Sequence, residues 1–311
     1  MDKKTRVAVI GVGYLGRVHA NIYRQLDNVH LAGVFDTDEK RARSVAADLG
    51  CESFSSLESL LDNVDAASVV TPTNTHYDIT QTLIKKAIHV LVEKPICESY
   101  EKSLELVQLA EKAGIIFQVG YLERYNAAVI ELGKHIHQPQ FIETHRLGMF
   151  VERAIDVDVV TDLMTHDIDI VLSLIQSPLK TISATGLSVL TEHIDIANAR
   201  LEFENHAVAN ITASRVSSKI YRQMRLFEKN HYYSLNFENQ QLTITSAEPQ
   251  CRSNDDIVVE KPEVTPQLTL NAELSAFIHS VNTGKTPLVD GRTGLEAIRV
   301  ANLICKKIHE R

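Results

Sequence analysis

The sequence lacks most of the features that would place it outside ordinary globular chains. No stretch of its 311 residues approaches the roughly 20 uncharged residues that a membrane-crossing helix needs. The opening residues, Met1-Asp2-Lys3-Lys4-Thr5-Arg6, bring charge straight up to an apolar run and show no apolar core of a secretory leader. Four cysteines, Cys51, Cys97, Cys251 and Cys305, are scattered without a CxxC pair, which argues against a zinc knuckle or a redox dithiol. A reducing cytoplasm is the expected compartment. The histidines are dispersed as well. His135 and His137 lie two apart, which puts them on different faces of a helix, so no metal site is expected. Basic residues never form a dense run, and a net charge of −8 speaks against nucleic acid as a partner. There is no internal repeat and no low-complexity tract. A chain of this length exceeds a typical single core and suggests two domains.

What is present begins at once. The apolar run Thr5 to Ile10 leads directly into Gly11-Val12-Gly13-Tyr14-Leu15-Gly16, and a helical pattern opens at Leu15. Strand, glycine turn and helix are the context in which GxGxxG indicates dinucleotide binding. Gly11 permits the tight turn, Gly13 lets the backbone approach a pyrophosphate, and Gly16 lets helix and strand pack closely. The helix start offers unpaired N–H groups and the positive end of its dipole to that anion. The next strand, Val29–Phe35, ends at Asp36, twenty residues past Gly16, where an acceptor for the ribose hydroxyls belongs. A carboxylate there repels a 2′-phosphate, so NAD is expected over NADP. Two facts pull the other way: Asp36 also suits a cap for the helix starting near Glu39, and Arg41 and Arg43 lie close enough to receive a phosphate.

Residues 1–120 read as a doubly wound α/β domain with a parallel sheet. Helices are expected over 39–49, 57–61, 77–86 and 100–113. Strands are expected over 51–54, 65–70, 89–92 and 115–119, with 71–76 as a loop. Residues 121–311 read as an α+β domain on an open, mostly antiparallel sheet, its last helices able to pack back on the first domain. Helices are expected over 127–137, 159–175, 268–281 and 293–309. Strands are expected over 141–150, 181–190, 194–203, 207–214, 221–228, 232–237, 242–245 and 257–259, with 204–206 and 229–230 as hairpin turns.

Ligands of open parallel sheets bind beyond the carboxyl ends of the strands. Asp36, the segment Thr71-Pro72-Thr73-Asn74-Thr75-His76, and Glu93-Lys94-Pro95 all occupy such ends and should converge. Lys94 directly follows a buried strand, and Pro95 biases it toward an extended backbone. It is placed to hold a substrate oxygen or relay a proton, or else it is a solvated lysine in a turn. Further on, Asp162, His166 and Asp169 fall on one helical face. The imidazole suits proton transfer near neutral pH, and a carboxylate one turn away would orient it. The alternative is an acid serving the helix dipole beside a packed core histidine.

Taken together, the glycine turn, Glu93-Lys94-Pro95, Gly120-Tyr121 with Arg124, and Asp162…His166…Asp169 resemble the glucose–fructose oxidoreductase/inositol dehydrogenase/MocA family over nearly the whole chain. The resemblance implies an N-terminal Rossmann domain and hydride transfer between NAD and a secondary alcohol of a sugar, nucleotide sugar or cyclitol. It also implies dimers or tetramers made through the C-terminal sheet. By position, Lys94, Asp162 and His166 become the catalytic set, with His166 the base and Asp162 positioning it or the substrate. Gly11, Gly13, Tyr14, Leu15, Gly16, Asp36, Thr71, Pro72, Asn74, His76, Glu93 and Lys94 become cofactor contacts. Tyr121, Arg124, Arg146 and Arg153 join Lys94, Asp162 and His166 as substrate contacts, the last two arginines through a likeness to nucleotide-sugar 3-dehydrogenases. Arg124 is not followed by the family's usual proline, and the loop before Asp162 lacks glycines that many members carry. A dehydrogenase of a biliverdin-like or dihydrodiol substrate, or a non-catalytic NAD sensor, are the competing readings.

Overall fold

The computed structural model describes residues 4–151, 157–247, 253 and 256–310. The chain divides into two compact units, 1–122 with 268–295, and 123–267 with 296–311. The first unit therefore takes up a segment from beyond the break expected at Gly120. Among the described residues, no helix is long and apolar enough to cross a membrane.

The first unit carries a parallel sheet of β1 (Thr5–Ile10), β2 (Val29–Phe35), β3 (Glu52–Ser53), β4 (Ala66–Val69), β5 (His89–Glu93) and β6 (Phe117–Gly120). Their order is β3-β2-β1-β4-β5-β6, which places the topological switch point between β1 and β4. The helices are α1 (Tyr14–Gln25), α2 (Glu39–Leu49), α3 (Leu57–Leu61), α4 (Thr73–Lys85), α5 (Tyr100–Ala113) and, returning late in the chain, α8 (Thr269–Thr283). The return has a packing cause: Leu274, Phe277 and Ile278 of α8 are buried in one cluster with Val7, Val9, Ala20 and Tyr23. Each such side chain stabilises the unit by about 1.5–3 kcal/mol. Helix α4 starts inside the segment expected as a loop. Pro72 has φ −57° and pre-sets the helical turn, and the Thr75 hydroxyl donates back to the Pro72 carbonyl at 2.7 Å.

The second unit holds α6 (Ala127–His135), α7 (Thr165–Leu174) and a sheet of β7 (Phe141–Leu147), β8 (Leu179–Leu187), β9 (Ile196–Phe203), β10 (Val208–Ser214), β11 (Tyr221–Glu228), β12 (His231–Asn236), β13 (Gln241–Ala247) and β14 (Ile257–Glu260). The order is β14-β13-β12-β11-β7-β10-β9-β8. Pairing is antiparallel except between β7 and β10, which run parallel. The expected hairpin turns appear where His206 and Asn230 adopt positive φ. One sheet face is buried, as in β9, where Ala197, Ala199, Leu201 and Phe203 alternate with more exposed residues. Helix α7 packs on β7 and β10. The last helix, α9 (Gly291–His309), counts with the first unit through Leu295.

Candidate active site

In the first unit, each glycine of the turn meets a different environment. Gly11 has φ +84°, and a Cβ there would lie 2.6 Å from the Val70 carbonyl oxygen. A Cβ on Gly16 would lie 1.8 Å from the Gly11 carbonyl oxygen, so the start of α1 packs directly on the turn. A Cβ on Gly13 would meet nothing within 4 Å. Gly13 is also the N-cap of α1, with no side chain capping it and no acid in the first turn. By contrast α2 and α5 are capped by Asp38 and Ser99. The N–H groups of α1 and the space above Gly13 fit the pyrophosphate of a dinucleotide.

Asp36 is buried at the end of β2. It accepts the Val12 and Asp38 amides, each at 2.9 Å, and Arg41 approaches it at 3.3 Å. The cap of α2 is Asp38, not Asp36, so the capping alternative for Asp36 falls away. A carboxylate tied to the glycine turn in this way suits ribose hydroxyls and disfavours a 2′-phosphate. Thr71 follows β4 and lies against Gly11: a Cβ on that glycine would come within 2.7 Å of its Cγ2. Tyr14 is 86 % exposed, and Pro72 and Asn74 are also exposed.

Lys94 follows β5 and is half-buried, and the Lys94–Pro95 peptide is cis, which the sequence did not suggest. Two residues expected to line the cofactor are buried beside this turn. His76 is 1 % exposed, with Nε2 at 2.8 Å from the Thr71 carbonyl oxygen and Nδ1 at 3.0 Å from that of Pro95. Its ring bridges the two strand-end segments. Glu93 is buried, its Oε1 3.2 Å from His19 Nε2, and its carboxylate presses on Gly120, where an added Cβ would sit 2.9 Å from Oε2. Tyr121, just past β6, is fully buried.

In the second unit the expected single helix over 159–175 comes in two parts, a π-helical turn at Val160–Met164 followed by α7. Such turns are rare and recur at functional sites. Asp162 lies in the π turn and His166 in the first turn of α7, both half-buried. Asp169 follows His166 by three residues on the same α-helix. It is buried against Arg124, with 3.2 Å between Nη1 and Oδ1, and burial pushes its carboxyl up to about 7 although the Arg124 charge opposes this. Arg146 requires a correction. It is 3 % exposed, its Nε and Nη2 donate to Asp167 at 3.0 and 2.9 Å, and its Nη1 donates to Glu123 at 2.8 Å. Burial works against its charge, but the two carboxylates outweigh that and raise its pKa. With these donors engaged, Arg146 is an ion-pair residue of the core rather than a substrate contact. Arg153 lies outside the described residues.

The approach to the π turn is pinned as well. The Val159 amide donates to the Ile194 carbonyl at 2.8 Å, the Ile194 amide to Asp158 Oδ1 at 2.9 Å, and Arg215 to the Val157 carbonyl. Asp195, 3.6 Å from Arg215, accepts the amides of Val189, Leu190 and Thr191, and these bonds lower its pKa to about 2 against the opposing effect of burial. None of Glu123, Asp167, Asp195 or Arg215 was singled out from the sequence. One signal was available for Arg146, the partner of Glu123 and Asp167: it shares its strand parity with Ile142 and Thr144, the inward-facing positions of β7.

The chain matches two family profiles. One, described as an oxidoreductase family with an NAD-binding Rossmann fold (GFO/IDH/MocA), covers residues 5–121, and the other, the GFO/IDH/MocA C-terminal domain, covers residues 132–230. It is 34 % identical over 301 residues to a UDP-N-acetylglucosamine 3-dehydrogenase of Acidithiobacillus ferrooxidans, covering 95 % of each chain. It is 29 % identical to a scyllo-inositol 2-dehydrogenase (NAD(+)) of Bacillus subtilis, over 93 % of this chain and 90 % of that one. The solved structure of the Acidithiobacillus enzyme superposes with a TM-score of 0.92 at 33 % identity, covering 98 % of both chains. A levoglucosan dehydrogenase structure, at 17 % identity and a TM-score of 0.86 with 99 % and 98 % coverage, shares the fold.

Proposed function

This chain belongs to the GFO/IDH/MocA oxidoreductase family, and from that premise we propose that it oxidises a secondary alcohol of a nucleotide sugar with NAD, the C3 hydroxyl of a UDP-linked N-acetylhexosamine being the first candidate. One observation carries the reading: the likeness to a UDP-N-acetylglucosamine 3-dehydrogenase runs through both units of the chain. The presence of Lys94, Asp162 and His166 supports it.

NAD, held across the Gly11–Gly16 turn and by Asp36, supplies the hydride acceptor. The chain's own groups manage the proton and the charge. His166 takes the hydroxyl proton, a contribution of about 10²–10⁴-fold for general-base help of this kind. The Lys94 ammonium holds the same oxygen as negative charge builds on it. Asp162, one turn from His166, orients the imidazole and favours its protonated form. Copies of the chain pair through the C-terminal sheet into a dimer or tetramer, which light scattering reads directly.

The test is an NADH-absorbance screen with UDP-N-acetylglucosamine, other UDP-sugars, free sugars, sugar phosphates and inositols. Turnover is expected with UDP-N-acetylhexosamines. Turnover of inositols alone would replace this reading with a cyclitol dehydrogenase. Stoichiometric NAD binding without turnover of any of them would favour a sensor.

A further inference from the structure

Arg215 directly follows β10 and Asp195 directly precedes β9, so the two stand side by side where these paired strands end. The Arg215 amide donates to the Asp195 carbonyl at 2.9 Å, and the two side chains approach to 3.6 Å. Both residues are buried, at 5 % and 0 % exposure. Taking a guanidinium out of water is costly, and a buried ion pair is by itself weak evidence for stability. Nor does Asp195 depend on the arginine. Its carboxylate already accepts the amides of Val189, Leu190 and Thr191 at 2.8, 2.6 and 2.9 Å and the Thr191 hydroxyl at 2.8 Å. The reason for the arginine lies in what else it holds.

Its Nη2 donates to the Val157 carbonyl and, at 3.4 Å, to the Ile194 carbonyl. That Ile194 carbonyl also accepts the Val159 amide at 2.8 Å, while the Ile194 amide donates to Asp158 Oδ1 at 2.9 Å. The Asp158 carbonyl accepts the amides of Thr161 and Asp162, each at 3.0 Å. A continuous set of hydrogen bonds thus leads from the guanidinium to the backbone of Asp162, all of it inside the second unit. The Thr165 hydroxyl, donating to the Thr161 carbonyl at 3.0 Å, extends it to the first residue of α7, next to His166. The segment held in this way is the π turn, a rare geometry that recurs at functional sites.

We propose that Arg215, anchored on Asp195, is a positioning residue for the reaction: it holds the entry to the π turn and so sets the placement of Asp162 and His166. The effect on turnover rests on the function proposed above, whereas the effect on the backbone of the turn does not.

The test uses the full chain. Arg215→Met removes the guanidinium and leaves Asp195 its four other donors, so the variant is expected to fold. It should bind NADH within about threefold of the parent and lose about tenfold or more in kcat, measured below its melting transition. Amide hydrogen exchange over residues 157–166, read by mass spectrometry, should rise about tenfold or more while that of β11–β13 stays within about twofold of the parent. Asp158 supplies a second pair of variants. Asp158→Ala removes the acceptor for the Ile194 amide and should reproduce both changes. Asp158→Asn keeps an oxygen there and should stay within about threefold of the parent kcat, with parental exchange. Parental kcat or parental exchange over 157–166 in a folded Arg215→Met overturns the proposal. So does exchange that rises equally in β11–β13, which would mark a general loss of stability, or an Asp158→Asn protein as slow as Asp158→Ala. If Arg215→Met fails to fold, the Asp158 pair decides, and parental kcat and exchange in Asp158→Ala overturn the proposal. A parent that turns over no sugar would defeat the proposed function and still leave the exchange over 157–166 to decide whether Arg215 holds the turn.

Discussion

Gly13→Ala and Gly16→Ala add the same methyl group three residues apart and should fail in opposite ways. At Gly16 the new Cβ lies 1.8 Å from a backbone carbonyl oxygen, which cannot rotate aside, so α1 and the turn must separate. Overpacking against backbone belongs at the upper end of about 1–3 kcal/mol, which at about 2–4 °C per kcal/mol lowers Tm by roughly 6–12 °C. At Gly13 the Cβ meets no protein atom within 4 Å. The exchange of one N-cap for a poorer one then costs about 0.5–1 kcal/mol, or about 1–4 °C. The methyl does enter the space where a pyrophosphate would lie against the α1 amides. A loss of about tenfold or more in NADH affinity, roughly 1.4 kcal/mol, follows from one displaced contact of that kind. Differential scanning fluorimetry with and without NADH reads both quantities. In the parent, NADH at about 100 times its Kd should add about 2.7 kcal/mol of stability. Gly13→Ala should keep most of its unliganded Tm and lose much of that increment. Parental NADH affinity in Gly13→Ala, or a Gly16→Ala protein as stable as the parent, would refute the division of labour between the glycines.

His166→Ala should keep NADH binding within about threefold and lose about 10²–10⁴ in kcat on the physiological alcohol, measured by steady-state absorbance. Arg146→Met leaves Asp167 and Glu123 buried without their cation and should destabilise the second unit by about 3–5 kcal/mol in urea unfolding. Arg146→Lys should recover little of this, because one ammonium does not reproduce the two parallel bonds to Asp167. Asp169 has a folded-state pKa of about 7, above its ordinary value, so the folded chain holds its proton over a range where the unfolded chain has lost it. Its contribution to stability is therefore present at low pH, falls as pH rises from about 4 towards 7, and is flat above that. Asp169→Asn removes the slope, and its Tm relative to the parent should climb between pH 5 and pH 8. A constant difference would contradict the assignment.

Much of the first unit was legible because local signals and burial agree there. The run Thr5–Ile10, the glycines after it and Asp36 each follow from short-range sterics and hydrogen bonding. The strand ends could be expected to converge because parallel-sheet topology leaves few alternatives. Three things were not legible. The start of α4 was hidden because Pro72 and Thr73 read as loop by composition, while the fixed φ of proline in fact supports a first helical turn. The π turn around Asp162 has no local signature separable from an α-helix, since both carry the same apolar spacing. The long-range ion pairs were hidden as well. Arg146 looked available for a phosphate because no local rule reveals that Glu123 and Asp167 come to it from 23 and 21 positions away. Glu273 is the extreme case, an acid buried in the first unit only because α8 rejoins that unit after the whole second sheet.

The central proposal is that Lys94 and His166 act on one hydroxyl. A crystal structure with NADH and UDP-N-acetylglucosamine, or whichever alcohol the screen identifies, tests it most directly. Lys94 Nζ and a ring nitrogen of His166 should both lie within about 3.2 Å of the same substrate oxygen, with the dinucleotide across Gly11–Gly16. A substrate oxygen reached by only one of them, or a dinucleotide bound elsewhere, would contradict it.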